Sequence, residues 1–144
     1  MSSELKGSCL CGSIRYTVRP PFRPVIACHC EKCRKQTGHF KAAAAALRAN
    51  LDLSGEDALA WFNSGENSRR AFCSMCGSKL FFEVIGGDQI GFMPGAIDGP
   101  LGLEMTTHIF TAGKGDYYDL PMGCDAHDGD YPPALKVPSK VEEH

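Results

Sequence analysis

The chain has 144 residues, 43% of them hydrophobic and 22% charged, with a formal net charge of −2. This is one domain's worth of ordinary globular composition, long enough to bury a core of its own. No apolar run approaches the roughly 18 residues of a membrane span, and the near-neutral charge leaves no footprint for nucleic acid, so neither partner is expected.

Residues 1–7 carry no apolar stretch, so no secretory leader is expected, and the eight cysteines are expected to stay reduced in the cytoplasm. The first cysteine cluster follows at once: Cys9, Leu10, Cys11, Gly12. Residues 14–18 alternate apolar and polar, the mark of a half-buried strand, and Pro20 and Pro21 end it. Val25, Ile26 and Ala27 form a short apolar run feeding the second cluster, Cys28, His29, Cys30, Glu31, Lys32, Cys33. Residues 31–37 predict one or two helical turns capped at Gly38. Residues 42–47 are ambiguous. Their alanines favour helix on propensity, yet Leu51, Asp52 and Leu53 just beyond alternate like a strand.

Further strands are predicted at 58–62, 69–72, 79–84, 89–92 and 106–110, nearly all separated by Gly, Asn, Asp or Pro. The third cluster, Cys73, Ser74, Met75, Cys76, Gly77, falls between two of them. Trp61 reads as core or interface packing. After Leu120 the chain turns acidic and proline-rich, with Asp125, Asp128 and Asp130 read as a solvated turn. The expected organisation is a zinc-binding domain over residues 1–124 and a surface-wrapping or partly mobile tail over 125–144. The fold class this pattern predicts is all-β: short, mainly antiparallel strands in a distorted sandwich or barrel, with zinc knuckles between them.

Seven of the eight cysteines lie in the three clusters, and Cys124 stands alone as a passive thiol. Disulfides are one reading of an even count, but cysteines two apart on a strand bridge poorly and the compartment is reducing. Metal binding is the other. Zn²⁺ takes thiolates at ~2.3 Å in a tetrahedron, so Cys-x-Cys and Cys-x-x-Cys turns must bend over the ion, and Gly12 and Gly77 permit the positive φ this needs. A structural zinc takes four ligands, and a catalytic one takes three and keeps a position open. The natural division joins Cys9 and Cys11 to Cys73 and Cys76, leaving Cys28, Cys30 and Cys33 as a second site with a vacancy. The alternative is a closed second site, with His29, His39, His108 or Cys124 as its fourth ligand. Arg69 and Arg70, just before the third cluster, read as offsetting the negative charge of the four-cysteine centre.

Several of these stretches together resemble one family. They are Gly7 to Gly12 with Ile14, Arg15 and Tyr16, then Cys28, His29, Cys30 and Cys33 to Gly38, then Arg70 to Cys73 with Cys76, Gly77 and Ser78. Weaker features are Gly95 to Asp98 and His108 to Phe110. The resemblance is to the glutathione-dependent formaldehyde-activating enzymes, which include centromere protein V. It implies a mostly antiparallel β fold shared with methionine-R-sulfoxide reductases and a zinc-binding accessory factor of Rab GTPases. It implies a strand at 42–47, against propensity, and two zinc ions per chain, structural at Cys9, Cys11, Cys73 and Cys76 and catalytic at Cys28, Cys30 and Cys33.

The activity so implied is a zinc-dependent carbon–sulfur lyase reaction, formally run in reverse: glutathione or a related small thiol adds to formaldehyde or a related aldehyde. The chemistry asks for a thiol ionised at the open zinc position and an acid for the new oxyanion, with His29 and His39 the nearest candidates in sequence. The alternative reading of either is a hydrogen-bonded structural or surface histidine. Arg34, Lys35, His39 and Lys41 are the candidates for binding the substrate, the cations through its carboxylates. The alternative function is a noncatalytic zinc module binding a protein partner on the same scaffold. A sulfoxide reductase would need a nucleophilic thiol outside the zinc sites, and Cys124 has no cysteine beside it to resolve an intermediate.

Overall fold

Alternation along the strands decides the architecture, because one set of side chains must be covered on each face of a sheet. The structure is a computed structural model that describes residues 3–137. Eleven strands form two sheets: β1 (Leu5–Ser8), β2 (Arg15–Val18), β3 (Phe22–Cys28), β4 (Lys41–Leu47), β5 (Leu51–Ser54), β6 (Leu59–Asn63), β7 (Ser68–Cys73), β8 (Lys79–Val84), β9 (Gln89–Phe92), β10 (Met105–Ile109) and β11 (Asp125–Ala126). Among the described residues the one α-helix, α1, spans Glu31–Thr37. The small sheet has the order β1-β2-β5 and the large one β11-β10-β3-β4-β9-β8-β7-β6. All pairings are antiparallel except that β10 lies parallel to both β3 and β11. The protein is mostly β as predicted, and its sheets do not close into a barrel: β11 and β6 are the two edges of the larger one.

The two sheets share the main core. Tyr16 and Val18 from β2 meet Ala44 and Ala46 from β4, Phe81 from β8, and Ile90 and Phe92 from β9. Tyr16 and Phe81 pack edge to face with ring centroids 5.0 Å apart. Burying each of the large side chains contributes roughly 2 kcal/mol before conformational entropy is charged against it. On the other face of the large sheet a second cluster forms from Ile26, Cys28, Cys33 and Ile109, joined by Cys30, Tyr131 and Leu135. Ile26 and Cys28 are two residues apart on β3 and therefore point the same way, toward α1 and away from the main core.

The alanine stretch is a strand, as the resemblance implied. β4 sits between β3 and β9 in the middle of the large sheet, and Ala43, Ala44, Ala45 and Ala46 are all buried. Small side chains let both covering layers approach closely, so packing overrides helix propensity here. The helix at 31–37 forms as predicted, closed by Gly38 at φ 87° with its N–H on the Arg34 carbonyl. The acidic segment does not leave the fold at residue 125. Asp125–Ala126 extends the large sheet, Tyr131 and Leu135 cover the second cluster, and Val137 is buried with its backbone bonded to Gln89. Three apolar anchors, Tyr131, Leu135 and Val137, suffice to dock a polar strap on the surface. The end of the expected tail, residues 138–144, lies outside the described residues.

Candidate metal centres and the adjoining groove

The first centre is assembled from two distant turns. Cys9 and Cys11 follow β1, while Cys73 ends β7 and Cys76 lies in the turn before β8. Gly12 (φ 81°) and Gly77 (φ 82°) adopt the left-handed conformation that each turn requires. Their N–H groups close the turns on the carbonyls of Cys9 and Cys73 at 3.0 and 2.7 Å. Backbone N–H groups then point at the sulfurs: Ile14 donates to Cys9 Sγ at 3.3 Å, and Met75 and Cys76 donate to Cys73 Sγ at 3.3 and 3.4 Å. Ser78 ties the turns together, accepting from Leu10 N–H at 2.9 Å and meeting Cys76 Sγ at 3.3 Å. That contact and the neighbouring backbone N–H pull the Cys76 thiol down to about 5, while burial pushes Cys73 up.

A metal ion fits this quartet. All four sulfurs lie within 4.8 Å of one another. The Cys9–Cys11 and Cys11–Cys73 separations are 3.7 and 3.8 Å, against the edge of about 3.8 Å that a tetrahedron with ~2.3 Å metal–sulfur bonds requires.

The second centre is local. Cys28 ends β3, Cys30 caps α1 by accepting from Cys33 N–H at 3.4 Å, and Cys33 lies inside the helix, so a strand end and a helical turn bring three sulfurs within 4.8 Å of one another. Among the described residues no fourth His, Cys, Asp or Glu joins this trio. The proposed closing ligands are engaged elsewhere or stand apart. His29 is fully buried, with Nε2 2.9 Å from His108 Nδ1 and Nδ1 hydrogen-bonded to Tyr118 Oη. Burial, and then repulsion from His108, lower its imidazole to about 4. His39 is exposed, 2.6 Å from Tyr117 Oη. Cys124 is a half-buried free thiol.

Two cations stand against the trio. Arg70 is buried on β7 and donates from Nη2 to Cys33 Sγ at 3.3 Å and from Nη1 to Gln36 Oε1 at 3.3 Å. Lys41, on β4 directly opposite Cys28, is also buried, with Nζ 3.6 Å from the centre of the Phe82 ring. The hydrogen bond from Cys28, and behind it Lys41 and Arg70, pull the Cys33 thiol down to about 5 against the opposing effect of burial. The same bond and burial push Cys28 up. Burial lowers the Lys41 ammonium, and the adjacent Cys33 and Cys28 sulfurs work against that.

These positions correct one expectation and refine others. Arg70 serves the three-cysteine centre, not the knuckle it precedes in sequence. Its neighbour Arg69 stacks over Trp61 at 4.0 Å and, with Arg48, pairs with buried Glu83. The reason is alternation: Ala71 and Cys73 face the main core, so Arg70 must face the other side of the sheet. Arg34 donates from Nε to the Gly113 carbonyl at 2.9 Å and so pins the turn beside α1. Lys35 is exposed, 3.9 Å from Glu31 one helical turn away. The sequence reading passed over Tyr118 and His108 as partners of His29. They lie 89 and 79 positions further along, where no local pattern links them.

A groove of about 480 Å³ runs between the two centres. Ser8, Leu10 and Ser78 line it on the quartet side, Thr37, Phe40 and Lys41 on the trio side, and Met93 and Ala96 at the back. Lys41 therefore lines the groove and sits opposite Cys28 in the sheet.

Comparison with known proteins places this arrangement. The family model described as glutathione-dependent formaldehyde-activating enzyme matches residues 4–113, which takes in all seven clustered cysteines. The chain belongs to that family. No curated protein matches significantly. A solved crystal structure of a Rhodobacter sphaeroides protein is similar at 24% identity with a TM-score of 0.58, covering 69% of this chain and 97% of that one. That likeness concerns the fold. The family is associated with formaldehyde activation, and its glutathione-dependent formaldehyde-activating members set the chemistry against which the two centres are judged. No helix among the described residues is long and apolar enough to cross a membrane.

Proposed function

We propose that the chain is a zinc-dependent enzyme of the carbon–sulfur lyase type, joining a small thiol to an aldehyde and releasing it again. The family points to glutathione and formaldehyde as the pair, giving S-hydroxymethylglutathione. Cys9, Cys11, Cys73 and Cys76 would hold a structural zinc, and Cys28, Cys30 and Cys33 a catalytic one, two ions per chain. The observation that carries the reading is the trio without a fourth protein donor, in contact with buried cations beside a groove. Bound there, zinc supplies Lewis acidity that lowers the pKa of a thiol entering the remaining position.

The chain's own residues do the rest. Arg70 fixes Cys33 by its hydrogen bond, and Lys41 faces Cys28 and Cys33 from β4, so the sulfurs are held ready without reorganisation. Phe40, Met93 and Ala96 give the groove apolar side chains beside the polar Ser8, Thr37 and Ser78. Addition forms a sulfur–carbon bond, and the thiol proton must end on the former carbonyl oxygen. With its imidazole near 4, His29 is neutral at pH 7 and offers a proton only as an N–H within the Tyr118–His108 set. Exposed His39 is the other donor in reach of solvent. Reduced thiols at both centres call for a reducing compartment, the cytoplasm.

The burial of Cys28 and Cys33 favours a second reading, a noncatalytic zinc module that binds a protein partner. The deciding measurement is exchange between free formaldehyde and its glutathione adduct by NMR, on protein whose zinc content is known from elemental analysis. Two zincs and accelerated exchange are expected. Two zincs with exchange at the uncatalysed rate would leave the module reading in possession.

A further inference from the structure

The three-cysteine centre is covered in part by a stretch of chain that lies beyond residue 113, where the family match ends. After Asp125–Ala126 joins the large sheet, backbone bonds hold the chain as far as Gly129. His127 N–H donates to the His108 carbonyl at 2.9 Å, and Phe110 N–H donates to the Gly129 carbonyl at 2.8 Å. From 130 to 137 the described residues show no further backbone–backbone bond to another element. The stretch is bonded within itself instead. The N–H groups of Leu135 and Lys136 reach the Pro132 and Pro133 carbonyls at 3.0 and 3.1 Å, and the two prolines restrict the backbone where this turn begins. It is a stiff unit joined to the sheet at Gly129, a position with open space around it.

Side chains alone fasten the unit. Tyr131 lies against the guanidinium of buried Arg23, 5.3 Å from ring centre to Cζ. Arg23 is itself fixed by the carbonyls of Ala43 and Pro24, at 2.6 and 3.2 Å. Tyr131 and Leu135 pack on the cluster formed by Ile26, Ile109 and the three cysteines, in which Cys33 is 1% and Cys28 6% exposed. Gln89, at the start of β9, pairs with the far end as a strand edge would: its Nε2 donates to the Val137 carbonyl at 3.0 Å and its Oε1 accepts from Val137 N–H at 3.4 Å.

We propose that residues 130–137 form a cover hinged at Gly129, whose opening sets how fast reagents and metal ions reach Cys28, Cys30 and Cys33. None of the residues lining the groove belongs to this stretch, so the cover is a second approach to the same sulfurs. A unit held by side chains opens locally at a lower free energy than the sheet beneath it, and reaction under it follows the open fraction. The inference concerns access to the sulfurs and stands apart from the reaction proposed above.

The test measures, cysteine by cysteine, the rate of alkylation by iodoacetamide in the full chain at known metal content, read by peptide mass spectrometry. Release of metal to a chromophoric chelator is followed alongside. Leu135→Ser and Tyr131→Ala loosen the apolar contacts, and Gln89→Ala removes the far fastening without touching the cysteine cluster. Gln89→Ala should raise the alkylation rates of Cys28 and Cys33 about tenfold, and the other two variants by more. Cys9, Cys11, Cys73 and Cys76 should react at the parent's rates, and only the first phase of metal release should quicken. If Leu135→Ser or Tyr131→Ala fails to fold, judged by circular dichroism, Gln89→Ala decides the question alone. Unchanged rates at Cys28 and Cys33 in Gln89→Ala, or an equal rise at the quartet, would overturn the cover. Exchange of formaldehyde with glutathione on the same samples separates the two proposals: a parent that shows no exchange, with variants that expose the trio, keeps the cover and ends the enzymatic reading.

Discussion

The two cysteine centres solve the same coordination problem with different materials. In the quartet, backbone does the work: two glycine-closed turns, one after β1 of the small sheet and one between β7 and β8 of the large sheet, aim N–H groups at sulfur, with Cys9 and Cys73 buried and Cys11 exposed. In the trio, side chains do it. A strand end and a helix cap supply the sulfurs, and Arg70 and Lys41 supply the compensating charge from two other strands. Backbone turns fix geometry and leave nothing to adjust, which suits a staple. Three sulfurs supported by side chains would leave one coordination position to be filled from outside, as the proposed chemistry requires.

The sharpest way to break this contrast is Cys73→Ser. A structural zinc can contribute ~10 kcal/mol to folding, so this variant is expected to lose its cooperative thermal transition and its metal. A well-folded Cys73→Ser protein, judged by circular dichroism and melting, would show that the quartet is dispensable. Cys30→Ser should instead melt cooperatively, retain one zinc by elemental analysis, and lose glutathione-dependent formaldehyde exchange. Chelation should follow the same order. A chromophoric chelator is expected to withdraw the three-ligand ion in a fast phase and the four-ligand ion in a slower one that coincides with unfolding.

Smaller effects refine the comparison. Ser78→Ala removes the hydroxyl that joins Leu10 N–H to the Cys76 turn, and should cost about 1 kcal/mol in denaturant melts while leaving exchange intact. Lys35→Gln breaks only an exposed i,i+4 pair, so stability should move by less than ~0.5 kcal/mol. A raised KM for glutathione in that variant would return Lys35 to the role of a carboxylate contact.

What the sequence disclosed is what depends on neighbours in the chain. The turns at Cys9 and Cys73, the positive φ of Gly12 and Gly77, the helix closed at Gly38 and most strands follow from spacing and local conformational cost. The division of seven cysteines into four and three matches the two groups that the fold assembles. What it withheld depends on which face meets which. Arg70 could have been assigned to the far side of the sheet because it lies an odd number of positions from Ala71 and Cys73, but its partner Cys33 is 37 positions away. Lys41 was read as a candidate contact for the substrate's carboxylates; its burial was not foreseen, because nothing local reports that β4 lies in the middle of a sheet. His29, His108 and Tyr118 meet only because β10 runs parallel to β3, a pairing that needs the whole intervening chain.

That difference in reach also sets an order of events at the ribosome. The trio's three donors emerge within six consecutive positions, whereas the quartet is incomplete until Cys76 has been made. A nascent chain can therefore capture its first metal long before its scaffold can close. On the proposed two-zinc arrangement, the ion expected to leave first under chelation would be the earliest one the growing chain is equipped to meet.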